Sequence, residues 1–504
     1  MTRPHEPAHL RGLALATLFP GFAGVAQPPA WLRALIVEGL GGVVLFSRNV
    51  DRRRGDRGVA TLTARLRADR ADLLVAVDEE GGDVTRLDAT AGSVLPGNAA
   101  LGAVDDPELT REVAASLGAR LRGCGVDVNL APVADLDVDP QNPIVGVRAF
   151  GSDPRLVARH VRAFVEGQQS WRVAATAKHF PGHGATAEDS HLTVPTVRAS
   201  ASVLVERELE PFRAAIAADV QIVMTAHITI PAFDPHRPAT LSRNVVTGLL
   251  RDRLGFDGVV MTDGLDMRAI SRTVGQAEGA VQALAAGVDA LCVGGQSATP
   301  TTVEAIATAI VAAVGSGRLA HERLAEAAGR VRRLACWAAV APDGRPAAAV
   351  RSVGERAARR AVVIRGRVVV AGPPVVLELQ DEPSMAAGPV PWGVGAPLAE
   401  RLPGTVVVPI TRSGPDPVGV ALDHPGRSVV VSVRGVRRRA WQADVVAAVR
   451  AVRPEVVVVD HELPAEPDVL GEHYVLAFGA ARVTAETVAD LLAGMSAPRP
   501  EVVL

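Results

Sequence analysis

The densest run of chemically competent side chains is Lys178-His179-Phe180-Pro181-Gly182-His183-Gly184, followed closely by Asp189-Ser190-His191. Glycine and proline let such a loop fold tightly over a ligand. An aspartate two residues before a histidine can bond one ring nitrogen and fix the other, the arrangement of an oriented general acid or base. Taken alone, an Asx-type turn carrying a surface histidine is the better reading. Metal binding is a third: His179, His183 and His191 offer imidazoles, but their spacing matches no standard zinc pattern and no second carboxylate motif accompanies them. Further ionisable residues stand in Asp78-Glu79-Glu80-Gly81-Gly82, at His227 and at Asp263. Lys178 is the single lysine among 53 basic residues. A composition that uses arginine everywhere else yet spares this position points to a need for a compact ammonium, with chance survival as the alternative.

Most of these residues follow short apolar segments. Strands are expected at Leu13–Phe19, Gly42–Phe46, Leu73–Asp78, Val126–Ala131, Val173–His179, Ile222–His227, Gly258–Asp263 and Ala290–Gly294, separated by amphipathic helical stretches. Asp106-Pro107 and Asp153-Pro154 each supply a cap and a proline for a helix start, and Gly255 closes a helix before the strand that ends at Asp263. Eight strands alternating with helices fit an α/β fold of the (β/α)8 barrel type, whose site gathers at the carboxyl ends of the strands. Periodicity alone leaves an open doubly wound sheet as the alternative. The barrel is expected over residues 1–340. Turn formers cluster at Ala341-Pro342-Asp343-Gly344-Arg345-Pro346, and a smaller α/β layered domain is expected over 347–504, with strands at Val368–Val370, Val375–Leu379, Thr405–Pro409, Ser428–Val433, Val456–Asp460 and Tyr474–Phe478.

A hydrophobic content of 48% with 21% charge is a globular balance, and a net charge of -2 argues against a protein that grips phosphate backbones. Nucleic acid is therefore not an expected partner. Cys124, Cys292 and Cys336 are an odd number without metal-ligand spacing, and read as reduced core residues of a cytoplasmic protein. Leu13 to Ala26 is too interrupted, by Pro20 and Gly21, for a signal-peptide core, and no apolar run reaches membrane-spanning length. No membrane, cofactor or metal is expected; the chain is expected to act as a monomer or homodimer on a small-molecule or oligosaccharide substrate.

Taken together, the segments KHFPGHG and DSH, with DEEGG upstream, NLAPVADLD and NPIVGVRAFG between, then MTAHI and GVVMTDGLDM, resemble the bacterial β-N-acetylglucosaminidases of glycoside hydrolase family 3. Order and spacing agree over residues 10 to 300. The resemblance implies a (β/α)8 barrel followed by a C-terminal α/β sandwich, and a retaining exo-β-N-acetylhexosaminidase that forms a covalent glycosyl-enzyme. It implies that Asp263 is the nucleophile, that Asp189 and His191 form the acid/base dyad, and that Asp78, Arg86, Arg148, Lys178 and His179 hold the sugar. Muropeptide fragments or other β-N-acetylglucosaminides are the implied substrates. A helix N-cap is the bland alternative for Asp263, and the resemblance favours the nucleophile over it.

Two features depart from the family pattern. Family members commonly read Asp-Gln-Glu-Gly-Gly-Arg where this chain has Asp78-Glu79-Glu80-Gly81-Gly82-Asp83, placing two acids where a neutral and a basic residue stand; a remodelled surface turn is the favoured reading over altered leaving-group preference. Ala185-Thr186-Ala187-Glu188 is also short of the usual polar spacing residues. Within the family, a β-glucosidase or a phosphorylase that uses phosphate as acceptor is the alternative. Outside it stand a class I aldolase using Lys178 as a Schiff base, against which the polar surroundings argue, and a non-catalytic sugar binder. The C-terminal domain reads as scaffold or dimer surface.

Overall fold

In the computed structural model the described residues are 7–186, 193–295, 298–342, 348–381, 385–464 and 467–495. They form two compact units: Met1–Glu80, Thr110–Val145 and Ser152–Ala347 in the first; Gly81–Leu109, Gly146–Gly151 and Ala348–Leu504 in the second.

In the first unit, β1 (Leu18–Pro20), β2 (Gly42–Leu45), β3 (Leu74–Val77), β4 (Val128–Asn129), β5 (Thr176–Phe180), β6 (Ile222–Thr225), β9 (Val259–Thr262) and β10 (Leu291–Val293) are all parallel neighbours. Single bridges join β1 to β2 (Gly21 with Val44), β4 to β5 (Val128 with Ala174) and β9 to β10 (Met261 with Ala290), while β10 pairs with β1. The circle therefore closes, and the open sheet is excluded. A short antiparallel hairpin, β7 (Thr229–Ile230) and β8 (Asp234–Pro238), follows β6. Residues two apart on these strands, Leu74 and Ala76, Ile222 and Met224, Val259 and Met261, fill the barrel interior, and Val331, Leu334 and Ala338 of the helix His321–Ala339 pack against them.

The expected helix signals hold. Asp153 accepts from the N–H groups of Arg155 (2.7 Å) and Leu156 (3.1 Å), and Asp106 does the same for Glu108 and Leu109. The first expected strand needs correction, because Leu13 to Leu15 end a helix, Pro7–Leu15, and only Leu18–Pro20 is extended. Leu10, Leu13 and Ala14 form one buried helical face, a period that shows only when the window opens before Leu13. Cys336, expected in the core, is exposed; Cys124 and Cys292 are buried.

The second unit is a six-stranded sheet in the order β11-β16-β15-β14-β12-β13, formed by β11 (Val363–Arg365), β12 (Val375–Leu379), β13 (Val406–Ile410), β14 (Val429–Val433), β15 (Val457–Asp460) and β16 (Tyr474–Leu476). All its pairings are parallel except that of β11 with β16. Both faces are buried: Val375, Leu377 and Leu379 face one core, with Val446 and Val449, and Val376 faces the other, with Val488 and Leu492. Helices on both faces make the expected α/β sandwich. Val368–Val370 is not a strand; Val370 donates to the carbonyl of Leu492, and the ladder position is taken by Val363–Arg365. No helix among the described residues is long and apolar enough to cross a membrane.

Opposite the carboxyl ends of the strands, buried aspartates pin the barrel. Asp289 accepts from Val260 N–H (2.9 Å) and is ion-paired with Arg251 and Arg323; Asp127 accepts from Val75 N–H (2.9 Å) and is paired with Arg67. Each stands in a Gly-Val-Asp segment, 125–127 and 287–289, that enters a strand. Removing one member of such a buried cluster strands the others, so Asp289→Ala is expected to destabilise the protein by about 3–5 kcal/mol. Denaturant unfolding checks this, and a loss below about 1 kcal/mol would mean the cluster is solvated in solution.

Candidate active site

At the exit of β3, Asp78 meets the ammonium of Lys178 on β5 at 2.6 Å, and Glu80 meets it from the same turn at 2.7 Å. Lys178 is 3% exposed. A buried ammonium held by two carboxylates stays charged, which is the opposite of the deprotonated amine that Schiff-base chemistry requires. The aldolase reading therefore loses its basis, and the single lysine has a physical role: a point charge small enough to sit between two acids from one turn.

His179, the next residue, turns its Nδ1 to Asp135 Oδ2 at 2.6 Å. The other oxygen of Asp135 accepts from the backbone N–H of His179 (3.1 Å) and of His183 (2.7 Å). Burial would push the Asp135 carboxyl up, but the charge and hydrogen bond of His179, with further help from His183, hold it below the usual carboxylate range. Asp135 thus organises the whole KHFPGHG turn from beneath. Asn142 fixes its far side by donating to the carbonyls of His183 (3.0 Å) and Gly184 (3.2 Å). Gly184 is obligatory, because a Cβ there would stand 1.6 Å from the carbonyl oxygen of Leu136. His183 bonds Thr186 through Nδ1 (3.1 Å), and burial pushes its pKa down to about 4. Among the described residues no group of three His, Cys, Asp or Glu side chains is placed to hold a metal ion.

Asp263 leaves β9 half-buried. Its N–H donates to the Thr225 carbonyl (3.2 Å), and its Oδ1 accepts from Gly264 N–H (2.7 Å), which sets the carboxylate's rotamer. Behind that peptide, His227 Nε2 donates to the Gly264 carbonyl at 3.0 Å while its Nδ1 contacts Thr240 at 2.9 Å. His227 is a brace for the Asp263 turn. Asp263, Asp78 and Lys178 all act on one buried thiol: Cys292 is pushed up first by burial, then by Asp263, Asp266 and Asp78, with Lys178 opposing. Asp263 also acts on the His183 ring.

Arg86 and Arg148 belong to the second unit. Both are nearly buried. Arg86 donates to the carbonyls of Ala386 (2.8 Å) and Ala387 (3.3 Å), and the carbonyl of Arg148 accepts from Asn98 (2.7 Å). Asp189 and His191 lie outside the described residues. Glu79 and Asp83, expected on a surface turn, are 1% and 9% exposed; the substituted acids point inward. Sequence reasoning missed Glu80, Asp135, Asn142 and Thr240 as site-building residues. The signal for the first three was available, since each lies in a segment whose resemblance had been noticed, but only the fold shows what it touches.

Residues 28–334 match the glycosyl hydrolase family 3 N-terminal domain. The chain belongs to this family. A beta-hexosaminidase of Nitrosomonas eutropha is 36% identical over 294 residues, covering 56% of this chain and 82% of that protein. Beta-hexosaminidase A of Pseudoalteromonas piscicida is 33% identical over 283 residues, covering 52% of this chain and 47% of that longer protein. A solved family 3 beta-N-acetylglucosaminidase of Paenibacillus sp. str. FPU-7 is similar over 97% of both chains, with 35% identity and a TM-score of 0.85.

The buried neutral His183 has a measurable consequence. Its pKa is about 4 in the fold against 6.5 ordinarily, so between those values the unfolded chain binds the additional proton. Stability is present above about pH 6.5 and is lost as pH falls through about 4. Comparing the pH dependence of unfolding for the parent and His183→Gln should give a shallower acid decline in the variant. The difference removes the contribution of His461, which burial also holds down to about 4; parallel profiles would mean His183 is charged in the fold.

Proposed function

We propose that the protein is a retaining exo-β-N-acetylhexosaminidase that removes terminal β-linked N-acetylglucosamine through a covalent glycosyl-enzyme on Asp263. The reading rests on one observation above all: the Asp263 carboxylate is held by its own turn at the exit of β9, and the Asp78–Lys178–Glu80 cluster and the Asp135-oriented His179 stand at the exits of β3 and β5 of the same barrel. The similarity to beta-hexosaminidases and to a solved beta-N-acetylglucosaminidase supports the sugar. A retaining glycosidase needs a carboxylate to attack the anomeric carbon and a second group to protonate the leaving oxygen, through an oxocarbenium-like transition state.

In this reading Asp263 attacks, and the Gly264 N–H that orients it tempers its charge. His191 gives its proton to the leaving oxygen and later takes one from the incoming water; Asp189 holds the imidazole's tautomer. Asp78, Lys178 and His179 bind sugar hydroxyls, with Asp135 fixing which nitrogen His179 presents. For Arg86 and Arg148, sugar binding is proposed on the family resemblance alone. Muropeptide fragments or other β-N-acetylglucosaminides are the substrates in this reading, and three cysteines joined by no disulfide support action in the cytoplasm.

Asp263→Ala should abolish hydrolysis of an aryl β-N-acetylglucosaminide, and a fluorosugar should label Asp263. His191→Ala should slow substrates with poor leaving groups by about 10²–10⁴-fold while sparing activated ones, since only the former need protonation. Equal losses for both classes would remove His191 from the acid role. Turnover of nitrophenyl glucosides in preference to N-acetylglucosaminides would remove the sugar assignment.

A further inference from the structure

His227, the brace of the Asp263 turn, depends in its turn on a hydroxyl that an excursion of the chain delivers. Beyond β6 the backbone departs at Ile228, runs out and back as the β7–β8 hairpin, and returns where Ala239 N–H donates to the Ile228 carbonyl at 2.7 Å. The next residue is Thr240. The hairpin is itself anchored, since Thr229 N–H donates to the Pro195 carbonyl (2.8 Å) and the Thr229 carbonyl accepts from Val197 N–H (3.0 Å). Thr240 therefore arrives beneath His227 from a fixed support, and all of these residues belong to the first unit.

Thr240 Oγ1 stands 2.9 Å from His227 Nδ1, 2.9 Å from Thr225 Oγ1 and 2.8 Å from the Ala226 carbonyl oxygen. Thr225, His227 and Thr240 are fully buried. A hydroxyl has one proton to give. The Gly264 carbonyl can only accept, so the Nε2 that lies 3.0 Å from it carries a hydrogen. In the neutral ring Nδ1 is then an acceptor; the Thr240 proton serves it, and Thr225 supplies Thr240. The donors run in one direction, from Thr225 to Thr240 to His227 to Gly264, and the Gly264 N–H meets Asp263 Oδ1 at 2.7 Å. Thr225 also accepts, through its backbone carbonyl, from Asp263 N–H at 3.2 Å, so the series begins and ends on contacts of the same aspartate.

We propose that Thr240 is a positioning residue for the nucleophile: by donating to His227 it fixes which ring nitrogen grips Gly264, and so sets the orientation of the Asp263 carboxylate. This rests on the assignment of Asp263 as nucleophile in the proposed function. Thr240→Val withdraws the donor and admits the other tautomer, whose bare Nε2 repels the Gly264 carbonyl. The bonds that hold Asp78, Lys178 and His179 are made elsewhere, on β3 and β5, so the cost falls on bond formation and not on affinity for the sugar. Displacement of a reacting group by about 1 Å costs up to about a hundredfold in rate, which gives a remote hydroxyl its leverage.

The test uses the full-length protein, aryl β-N-acetylglucosaminides, and a fluorosugar whose adduct on Asp263 is timed by intact mass. Thr240→Val is expected to lower kcat and the labelling rate alike by about tenfold or more, with KM changed by less than about threefold. Thr240→Ser, which keeps the hydroxyl, should stay within about threefold of the parent, and Thr240→Ala replaces the valine variant if that one does not fold. The loss should be equal for good and poor leaving groups, unlike that of His191→Ala. His227→Gln, whose amide nitrogen reaches the Nε2 position, should lose less than His227→Asn, whose amide reaches only Nδ1. Adding Thr240→Val to His227→Asn should cost less than about a further threefold, because the hydroxyl acts through the ring. A raised KM with unchanged labelling, a valine variant as active as the serine one, or losses that multiply in the double variant would overturn the proposal. A parent protein that turns over no aryl glycoside, or is labelled elsewhere than at Asp263, would instead overturn the proposed function, and this inference with it.

Discussion

The site depends on a buried positive charge that is fully compensated. Lys178 is almost inaccessible to water, and an ammonium taken out of water without partners costs several kcal/mol. Two carboxylates from one turn after β3 meet it, at 2.6 and 2.7 Å. The chain between Asp78 and Glu80 must then fold so that both acids face β5, which in turn fixes how β3 and β5 present their ends. The ammonium meets both acids as a compact point charge, where a guanidinium would impose its planar fork. The single lysine of the chain stands where two carboxylates meet.

Asp135 extends the same logic one residue along. It accepts from two backbone N–H groups and one imidazole, so a single buried carboxylate closes the turn from 179 to 183 and orients its first histidine. The glycines allow this approach and the aspartate makes it favourable. Asp263 is only half-buried, and the Gly264 N–H donates to its Oδ1, which orients the carboxylate.

Much of this was legible in the residues. Eight strand positions and the helix caps follow from apolar periodicity and from Asp-Pro pairs, and the ionisable residues at strand exits mark the carboxyl face. The errors have local causes. Leu13 to Leu15 are apolar and short, a run that strand and helix both tolerate, and the buried face shared with Leu10 decided for helix. Val368–Val370 alternates correctly but meets Leu492 instead of a strand, which no local pattern encodes. Glu79 and Asp83 looked like surface charges because a residue's partner is invisible when it lies 351 positions away, as Arg434 does from Asp83. Long-range charge pairing is the class of information that one sequence withholds.

The position of an aspartate along a barrel strand decides what its charge does. At the entrance of β4 and β10, Asp127 and Asp289 are saturated by arginines and by an N–H of the neighbouring strand, so their charge is spent on register. At the exits, Asp78 and Asp135 are spent on a lysine and a histidine, groups that can also address a ligand. The arginine clamps are multidentate and rigid; the lysine and imidazole present a rotatable charge and a proton that can move. Stability and chemistry are thereby placed at opposite ends of the same strands, and the entrance clamps leave the exit residues free to be selected for reaction rather than for holding the barrel closed.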